Sequence, residues 1–293
     1  MVNISMNERI PDTQITTTNW GMKMAALLSK PPKTSFALST SMIHGDQAKR
    51  VTVRFDSSKF NTIEICHLTD VQFGAVACQE DKLEAYRDWL LSVPNRFWLW
   101  GGDMIDAATM ASIASPYENK WEPTYQAYRF LEVMAPARHR ILGYVGGNHE
   151  RRIKQFDVGS MMASWMGIPY SSGKQLIDIH FGEHKPFGIG LHHGCGSARS
   201  KGAKAQMVHR FMNEGDSQLY LVGHLHDALL LWDWRVRRDD RGGVKLQKVC
   251  GGMSSSFLEH WGTYAEVAGM SPSDTMMIRC ILEKNGHWEV TMK

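Results

Sequence analysis

Short apolar runs recur along the chain, each stopped by a small cluster of glycine and polar residues. Val51-Thr52-Val53-Arg54-Phe55 alternates with a period of two, and Thr62-Ile63-Glu64-Ile65-Cys66-His67-Leu68 repeats that alternation just before Asp70, so both are expected strands. Glu80 to Leu91 carries a charged helical pattern, and Phe97-Trp98-Leu99-Trp100 is a short buried run ending at Gly101-Gly102-Asp103. The next stretch, to Ala137, is rich in Trp and Tyr and helical in pattern; Ile141-Leu142-Gly143-Tyr144-Val145 follows and runs into Gly146-Gly147-Asn148-His149. Ile177 to Phe181, Gly188 to Leu191 and Leu219 to Val222 are further strand candidates, the last stopping at Gly223-His224. From Leu229 onward the apolar runs shorten and alternate, with turns at Asp239-Asp240-Arg241-Gly242-Gly243 and Asn285-Gly286, which predicts hairpins.

The repeated punctuation, a strand followed by glycine and then a polar side chain, predicts a mixed α/β (α+β) domain whose strands deliver polar residues from their C-terminal ends into one crevice. Residues 1–50 differ in texture, with Thr16-Thr17-Thr18, Pro31-Pro32 and a Ser/Thr-rich stretch from Ser35 to Ser41. They are expected to form an N-terminal arm or extension with one short helix at Met22 to Leu28, leaving 51–293 as the domain proper. An oligomerisation arm, a substrate flap and a leader all remain open for that arm.

Composition narrows this only modestly. A chain of 293 residues can bury a substantial core without staples, so stability does not require a metal. The formal net charge of +3 says little about partners until charges are placed locally. Cys66, Cys78, Cys195, Cys250 and Cys280 are odd in number and far apart, with no CxxC pair. That argues against a disulfide framework or a structural zinc knot and for a reducing, cytoplasmic setting. The opening MVNISMNERIPDTQ has no continuous apolar region, and no window approaches a membrane span, so no membrane partner is expected.

The polar clusters have a chemistry in common. Asp70-Val71-Gln72, Gly102-Asp103-Met104-Ile105-Asp106, Gly147-Asn148-His149-Glu150, His192-His193-Gly194 and Gly223-His224-Leu225-His226 supply carboxylate and amide oxygens and imidazole nitrogens. Hard divalent cations take the oxygens and borderline ones accept imidazole. Two such cations about 4 Å apart provide most of what hydrolysis of a phosphate ester requires. Taken singly the clusters are weak: Asp103 after two glycines suits a turn, and Asn148 suits an Asx-turn. Their ordered succession is what carries weight. In His224-Leu225-His226, imidazoles two residues apart project to one side of an extended segment and can each reach a different ion.

In that order the clusters resemble the calcineurin-like metallophosphoesterase superfamily, whose pattern is DxH, GDxxD, GNH(D/E), a lone His often followed by Gly, and GHxH. The match begins at Asp70, continues through Asp103 with Asp106, Asn148 with His149 and Glu150, and His193, and ends at His224 with His226; it covers about residue 62 to at least 227. The resemblance implies a two-sheet β-sandwich flanked by helices in four layers. It implies a dinuclear centre in which Asp70, Asp103 and His226 hold one metal while Asp103, Asn148, His193 and His224 hold the other. It also implies that His149 acts near the leaving oxygen, that Asp70, Asn148 and His149 are catalytic, and that a bridging hydroxide attacks phosphorus without a covalent enzyme intermediate. The resemblance places a ligand in the fourth cluster, where His192 and His193 compete; the His-Gly pairing favours His193.

One departure is informative. Gln72 stands where the family usually has His, and an amide oxygen is a weaker, harder ligand than imidazole, which predicts looser occupancy of that site and Mn²⁺ rather than Zn²⁺. Fe, Zn and Mg stay open. Asp106 is expected to orient a neighbour or cap a helix. His44-Gly45-Asp46 resembles a motif fragment but falls outside the order, and is taken as arm or turn. His67, His139, His180, His184, His209, His260 and His287 have no partner pattern. Trp98 and Trp100 are expected core residues, and Trp121, Trp165 and Trp261 are expected to pack rather than stack on a base.

Basic residues follow the clusters: Arg151, Arg152 and Lys154 after Asn148-His149, and Arg199, Lys201 and Lys204 after His193. With His192 as a further substrate contact, Arg151 and Arg152 suggest a polyanionic substrate. The expected activity is a phosphodiesterase or nuclease acting on DNA or RNA. The alternatives are a phosphomonoesterase and, less favoured, a metal-bound scaffold without activity. Glu150 mildly favours the monoesterase, whereas Gly146, where protein phosphatases carry a phosphate-holding arginine, disfavours it. An oligomer is left open.

Overall fold

The alternating and continuous apolar runs form two mixed sheets. The structure is a computed structural model that describes residues 34–42, 48–110, 112, 115–182, 186–238 and 242–293; the expected helix at Met22 to Leu28, the His44-Gly45-Asp46 fragment and Asp239 to Arg241 of the expected turn lie outside them. Its strands are β1 (Phe36–Met42), β2 (Ala48–Phe55), β3 (Thr62–Leu68), β4 (Arg96–Trp100), β5 (Ile141–Val145), β6 (Tyr170–Ser171), β7 (Lys174–His180), β8 (Phe187–His192), β9 (Leu219–Val222), β10 (Leu229–Arg238), β11 (Val244–Met253), β12 (Ile278–Glu283) and β13 (Trp288–Met292). The helices are α1 (Glu80–Leu91), α2 (Pro123–Met134), α3 (Val158–Met166), α4 (Lys201–Met212) and the single-turn α5 (Tyr264–Val267).

One sheet has seven strands in the order β1-β2-β7-β8-β9-β11-β10, and the other has six in the order β13-β12-β3-β4-β5-β6. Their facing sides supply the main core: Val51 and Val53, Ile63 and Ile65, Phe97 and Leu99, Ile177 and Ile179, Ile189 and Leu191, Leu219 and Leu221, and Ile278 and Cys280. Each pair is two residues apart, as a strand with one face inward requires. On the outer face of the six-stranded sheet Trp98 and Trp100 are fully buried, with Trp100 against Phe130 of α2 (5.2 Å between ring centres) and Tyr144 (5.5 Å). On the outer face of the seven-stranded sheet Val208, Phe211 and Met212 of α4 pack on Tyr220, Val222, Val249 and Met253. Helix, sheet, sheet, helix is the four-layer sandwich that the resemblance implied.

Several elements differ from expectation. Phe36–Met42, within the Ser/Thr-rich stretch expected as arm, pairs antiparallel with β2, and Phe36 packs on Phe55 and Phe97 at 5.5 Å. The expected boundary at residue 50 thus falls inside β2, and one unit runs from Pro32 to Lys293. The long helical stretch to Ala137 is confined to α2 and short 3₁₀ turns at Pro116–Glu118 and Ala135–Arg140; Pro116 and Pro123 each start a segment and Pro136 is second in its own, because proline suits a first helical turn and not an interior. Neither α3 nor α4 had an apolar stripe clear enough to expect; their ends are set by caps, the Asp157 side chain accepting from the Ser160 N–H (2.9 Å), Gly167 ending α3 in the left-handed region, and the Ser200 side chain accepting from the Ala203 N–H (3.3 Å). No helix among the described residues is long and apolar enough to cross a membrane.

Candidate metal centre

Parallel neighbours bring the clusters together. The strands β3, β4 and β5 lie side by side and parallel, as do β8 and β9, so their C-terminal ends open into the same crevice. The β3–β4 ladder continues past the strand ends: the Asp70 N–H donates to the Gly102 carbonyl (3.0 Å) and the Gln72 N–H to the Asp103 carbonyl (2.9 Å). That continuation fixes the Asp70 and Asp103 loops beside one another.

The turns that do this are strained where it matters. Asp70 (φ 51°), Gln72 (48°), Asp103 (54°), His224 (72°) and His226 (48°) all adopt left-handed backbone, and the only other non-glycine residue doing so among those described is Ala107. Each such residue costs about 1–3 kcal/mol and persists only when its surroundings over-determine it. The crowding is visible at two glycines: a Cβ on Gly147 would lie 2.0 Å from Asp103 Oδ1, and one on Gly223 would lie 2.3 Å from Asp70 Oδ2.

One half of the centre is built from Asp103, Asn148, His193 and His224. His193 Nδ1 donates to the Gly101 carbonyl (2.8 Å), which turns Nε2 toward Asn148 Oδ1 (2.9 Å) and Asp103 Oδ2 (3.1 Å). His224 Nε2 donates to the Gly196 carbonyl (2.7 Å), leaving Nδ1 for the centre. Such backbone contacts select the tautomer that a metal ligand needs. Donor atoms of Asp103, His193 and His224 lie within 4.8 Å of one another.

The other half is Asp70, Gln72 and His226. Asp70 Oδ2 accepts from the His224 N–H (2.8 Å) and the Thr69 hydroxyl (2.8 Å). Its Oδ1 is buried without a hydrogen bond, with His226 Nε2 at 3.3 Å. The Gln72 amide reaches His226 Nε2 (3.0 Å) and His149 Nε2 (3.5 Å).

His149 stands over both halves. Its Nδ1 faces the Asp106 carbonyl (2.7 Å) and Asp106 Oδ1 (3.1 Å), and Arg152 covers its edge, Nη1 reaching Nδ1 (3.0 Å) and Nη2 reaching Nε2 (2.8 Å). Asp106 therefore orients a neighbour. Glu150 was not expected to do so much: its carboxylate accepts from the N–H groups of Asp103 (3.0 Å), Met104 (2.7 Å) and Gly147 (2.9 Å) and from the Tyr144 hydroxyl (2.9 Å). It ties the second cluster to the third. Its position in Gly147-Asn148-His149-Glu150 was the only signal for this.

Charge in the crevice is unbalanced in favour of cations. Burial alone would strip the proton from His193, yet Asp103, Asp70 and Glu150 around it hold its pKa up to about 10. Burial also opposes charge on Asp103, but the imidazoles of His149 and His193 keep its carboxyl well below the usual carboxylate range. His149 is likewise raised, the pull of Asp103 and Asp106 outweighing burial. Buried carboxylates that draw protons onto imidazoles this strongly make a site for positive charge.

Other expected contacts fall elsewhere. The His192 ring packs on Phe211 (5.5 Å) and its Nδ1 accepts from the Gly194 N–H (3.1 Å), outside the cluster that holds His193; burial, then Lys174, lowers its pKa to about 4. Arg151 Nη2 donates to the Gly146 (2.9 Å) and Ser172 (2.8 Å) carbonyls. Lys201 and Lys204 both pair with Asp227, the residue after His226, and join α4 to the His224–His226 loop. Arg152 alone of these bases touches the centre. His67, expected to be a surface or core histidine, is fully buried: its Nδ1 meets Ser254 Oγ (2.9 Å), and burial lowers its pKa to about 3.

No protein-family model matches the chain, and no curated protein matches it. Among solved structures, the nuclease MPE of Pseudomonas putida is 14% identical over 78% of this chain and 87% of its own, with a TM-score of 0.34. A Saccharomyces cerevisiae serine/threonine phosphatase with similarity to human PP5 is 12% identical over 94% and 87%, with a TM-score of 0.36. NAD nucleotidase of Haemophilus influenzae is 11% identical over 78% of this chain and 49% of its own, with a TM-score of 0.37. The site passes a direct test of fit: the buried Asp70 Oδ1, without a hydrogen bond, and the converging donors of Asp103, His193 and His224 suit a divalent cation in charge and donor type.

Proposed function

We propose that the chain is a metal-dependent phosphodiesterase, a nuclease acting on DNA or RNA. The observation that carries this reading is the placing of His149, pinned by Asp106 and faced by Arg152, beside two converging sets of ligands. Asp70, Gln72, Asp103 and His226 would hold one divalent ion, and Asp103, Asn148, His193 and His224 the other; Mn²⁺ suits the mixture of amide, carboxylate and imidazole. When bound, such ions supply positive charge to a phosphoryl group and lower the pKa of water.

The chain's own residues supply the rest. The Asp106 carbonyl holds the proton on His149 Nδ1, and the raised pKa of the ring lets a protonated Nε2 give its proton to the departing oxygen, a role worth about 10²–10⁴-fold for a positioned histidine. Arg152, now on His149 Nε2, turns its guanidinium to a phosphoryl oxygen. A diester carries one negative charge where a monoester near neutral pH approaches two. A centre with Arg152 as its one arginine among the described residues, Arg151 being spent on backbone carbonyls, favours the diester. The five cysteines are all free, which suits a reducing cytoplasm.

With Mn²⁺ present, a bis-aryl phosphate should be hydrolysed faster than the mono-aryl ester, and His149→Gln should lower kcat by about 10³-fold. Faster turnover of the monoester would replace this reading with a phosphomonoesterase. Loss of both activities in metal-loaded protein would leave a scaffold.

A further inference from the structure

His226 is held differently from the other two imidazoles. His193 and His224 each rest one ring nitrogen on a backbone carbonyl, whereas the described contacts of the His226 ring, to Gln72 and Asp70, both use Nε2. Its backbone is left-handed (φ 48°), a conformation that persists only when the surroundings impose it. The residues on either side of it are both fixed to α4. Leu225 packs on the cluster that contains Val208, Phe211 and Met212, and the Asp227 carboxylate meets Lys201 Nζ and, at 3.0 Å, Lys204 Nζ.

This ion cluster is costly in two respects. Asp227 is 4% exposed and Lys204 8%, so both charges are withdrawn from water, and a buried pair of this kind adds little stability over an apolar pair of similar size. Lys201 and Lys204 also occupy the first turn of α4, which holds no acid, although the helix dipole favours negative charge there. For the core an apolar pair would do as well, and for the helix an acid would do better. What the cluster does fix is the backbone just beyond His226. Lys201 reaches the Ala228 carbonyl as well (3.4 Å), so the turn is gripped on both sides of the imidazole.

We propose that Lys204 and Asp227 are positioning residues for the Asp70 half of the centre: they clamp the left-handed turn so that His226 Nε2 stays beside Asp70 Oδ1. The proposal rests on the reading of His226 as a metal ligand and deepens it, making the first turn of α4 part of the metal site. Lys204 then serves the ligand set and not the substrate.

The test titrates metal-free, full-length protein with Mn²⁺ by calorimetry. Lys204→Met, which keeps most of the side-chain bulk, and Asp227→Asn should each weaken one of two binding phases about tenfold, the phase that Gln72→His also alters, and leave the other unchanged. Val53→Ala, a cavity in the core away from the crevice, should lower the melting temperature and leave both phases in place. With bis-aryl phosphate, the Mn²⁺ concentration for half-maximal turnover should rise about tenfold in the Lys204 and Asp227 variants, while KM for the ester at saturating Mn²⁺ stays put. A raised KM at saturating Mn²⁺ with both metal affinities intact would make Lys204 a substrate contact and overturn the proposal. Equal weakening of both phases overturns it too, since that is what a general loosening of the fold would do. Absence of Mn²⁺ binding by the unaltered chain would remove the metal centre and this proposal with it, whereas two unaltered phases in both variants would remove this proposal alone.

Discussion

The two halves of the candidate metal centre share a backbone design and differ in donors. Both hang on left-handed residues at strand ends, Asp103 and His224 in one half, Asp70, Gln72 and His226 in the other. In the Asp103 half each imidazole has a second nitrogen locked to a backbone carbonyl, Gly101 for His193 and Gly196 for His224, and Glu150 braces the Asp103 loop from behind. In the Asp70 half, Gln72 presents an amide whose described contacts are the rings of His226 and His149. A site with locked donors loses little entropy on binding, whereas one with a free amide must order it first. The difference predicts one tight ion and one exchangeable ion.

The most severe way to break the comparison is to remove what the halves share. Asp103→Asn withdraws a carboxylate assigned to both, together with several kcal/mol of charge stabilisation, so turnover of a bis-aryl phosphate should fall on the order of 10³-fold. Calorimetry with Mn²⁺ should show both affinities weakened. Weakening of one site only would mean that Asp103 belongs to a single ion.

Gln72→His sharpens the comparison by making the donors alike. The Asp70 half should then bind Zn²⁺ about 10–100-fold more tightly, and the two calorimetric affinities should converge. Two equally tight Zn²⁺ sites in the unaltered chain, with no activation by Mn²⁺, would show that the amide imposes no weakness.

Much of this was legible in the sequence because strand ends punctuate it. Thr62–Leu68, Ile141–Val145, Leu219–Val222 and Glu80–Leu91 were readable to the residue, since apolar runs bounded by glycine have few other uses. The position of Asp70, Asp103, Asn148, His193, His224 and His226 around one crevice followed from those ends. What stayed hidden depends on partners distant in sequence. Phe36–Met42 is a strand because β2 and the Phe55–Phe97 pair receive it, and serines and threonines alone do not announce that. Arg151, Lys201 and Lys204 looked like a polyanion surface; carbonyls of Gly146 and Ser172 and the carboxylate of Asp227 absorb them. A basic residue's availability is a tertiary property.

The subtlest test concerns protons. In metal-free protein His193 titrates near 10 against an ordinary value of 6.5. Below about pH 6.5 it is charged whether the chain is folded or not, and its stabilisation of the fold is fully present; as pH rises through about 10 the folded protein loses that proton and the stabilisation with it. A cation in the Asp103 half takes the place of that proton, so binding there between pH 7 and 9 should release close to one proton per ion, and affinity should rise with pH. The amide of Gln72 has no proton to lose, and burial does not keep Asp70 from lying below the usual carboxylate range, held there by His226 and His193. Calorimetry in buffers of different ionisation enthalpy should therefore separate the halves: a tight phase whose heat depends on the buffer, and a weaker phase that depends on it less. Equal proton release in both phases would erase the asymmetry that Gln72 suggests.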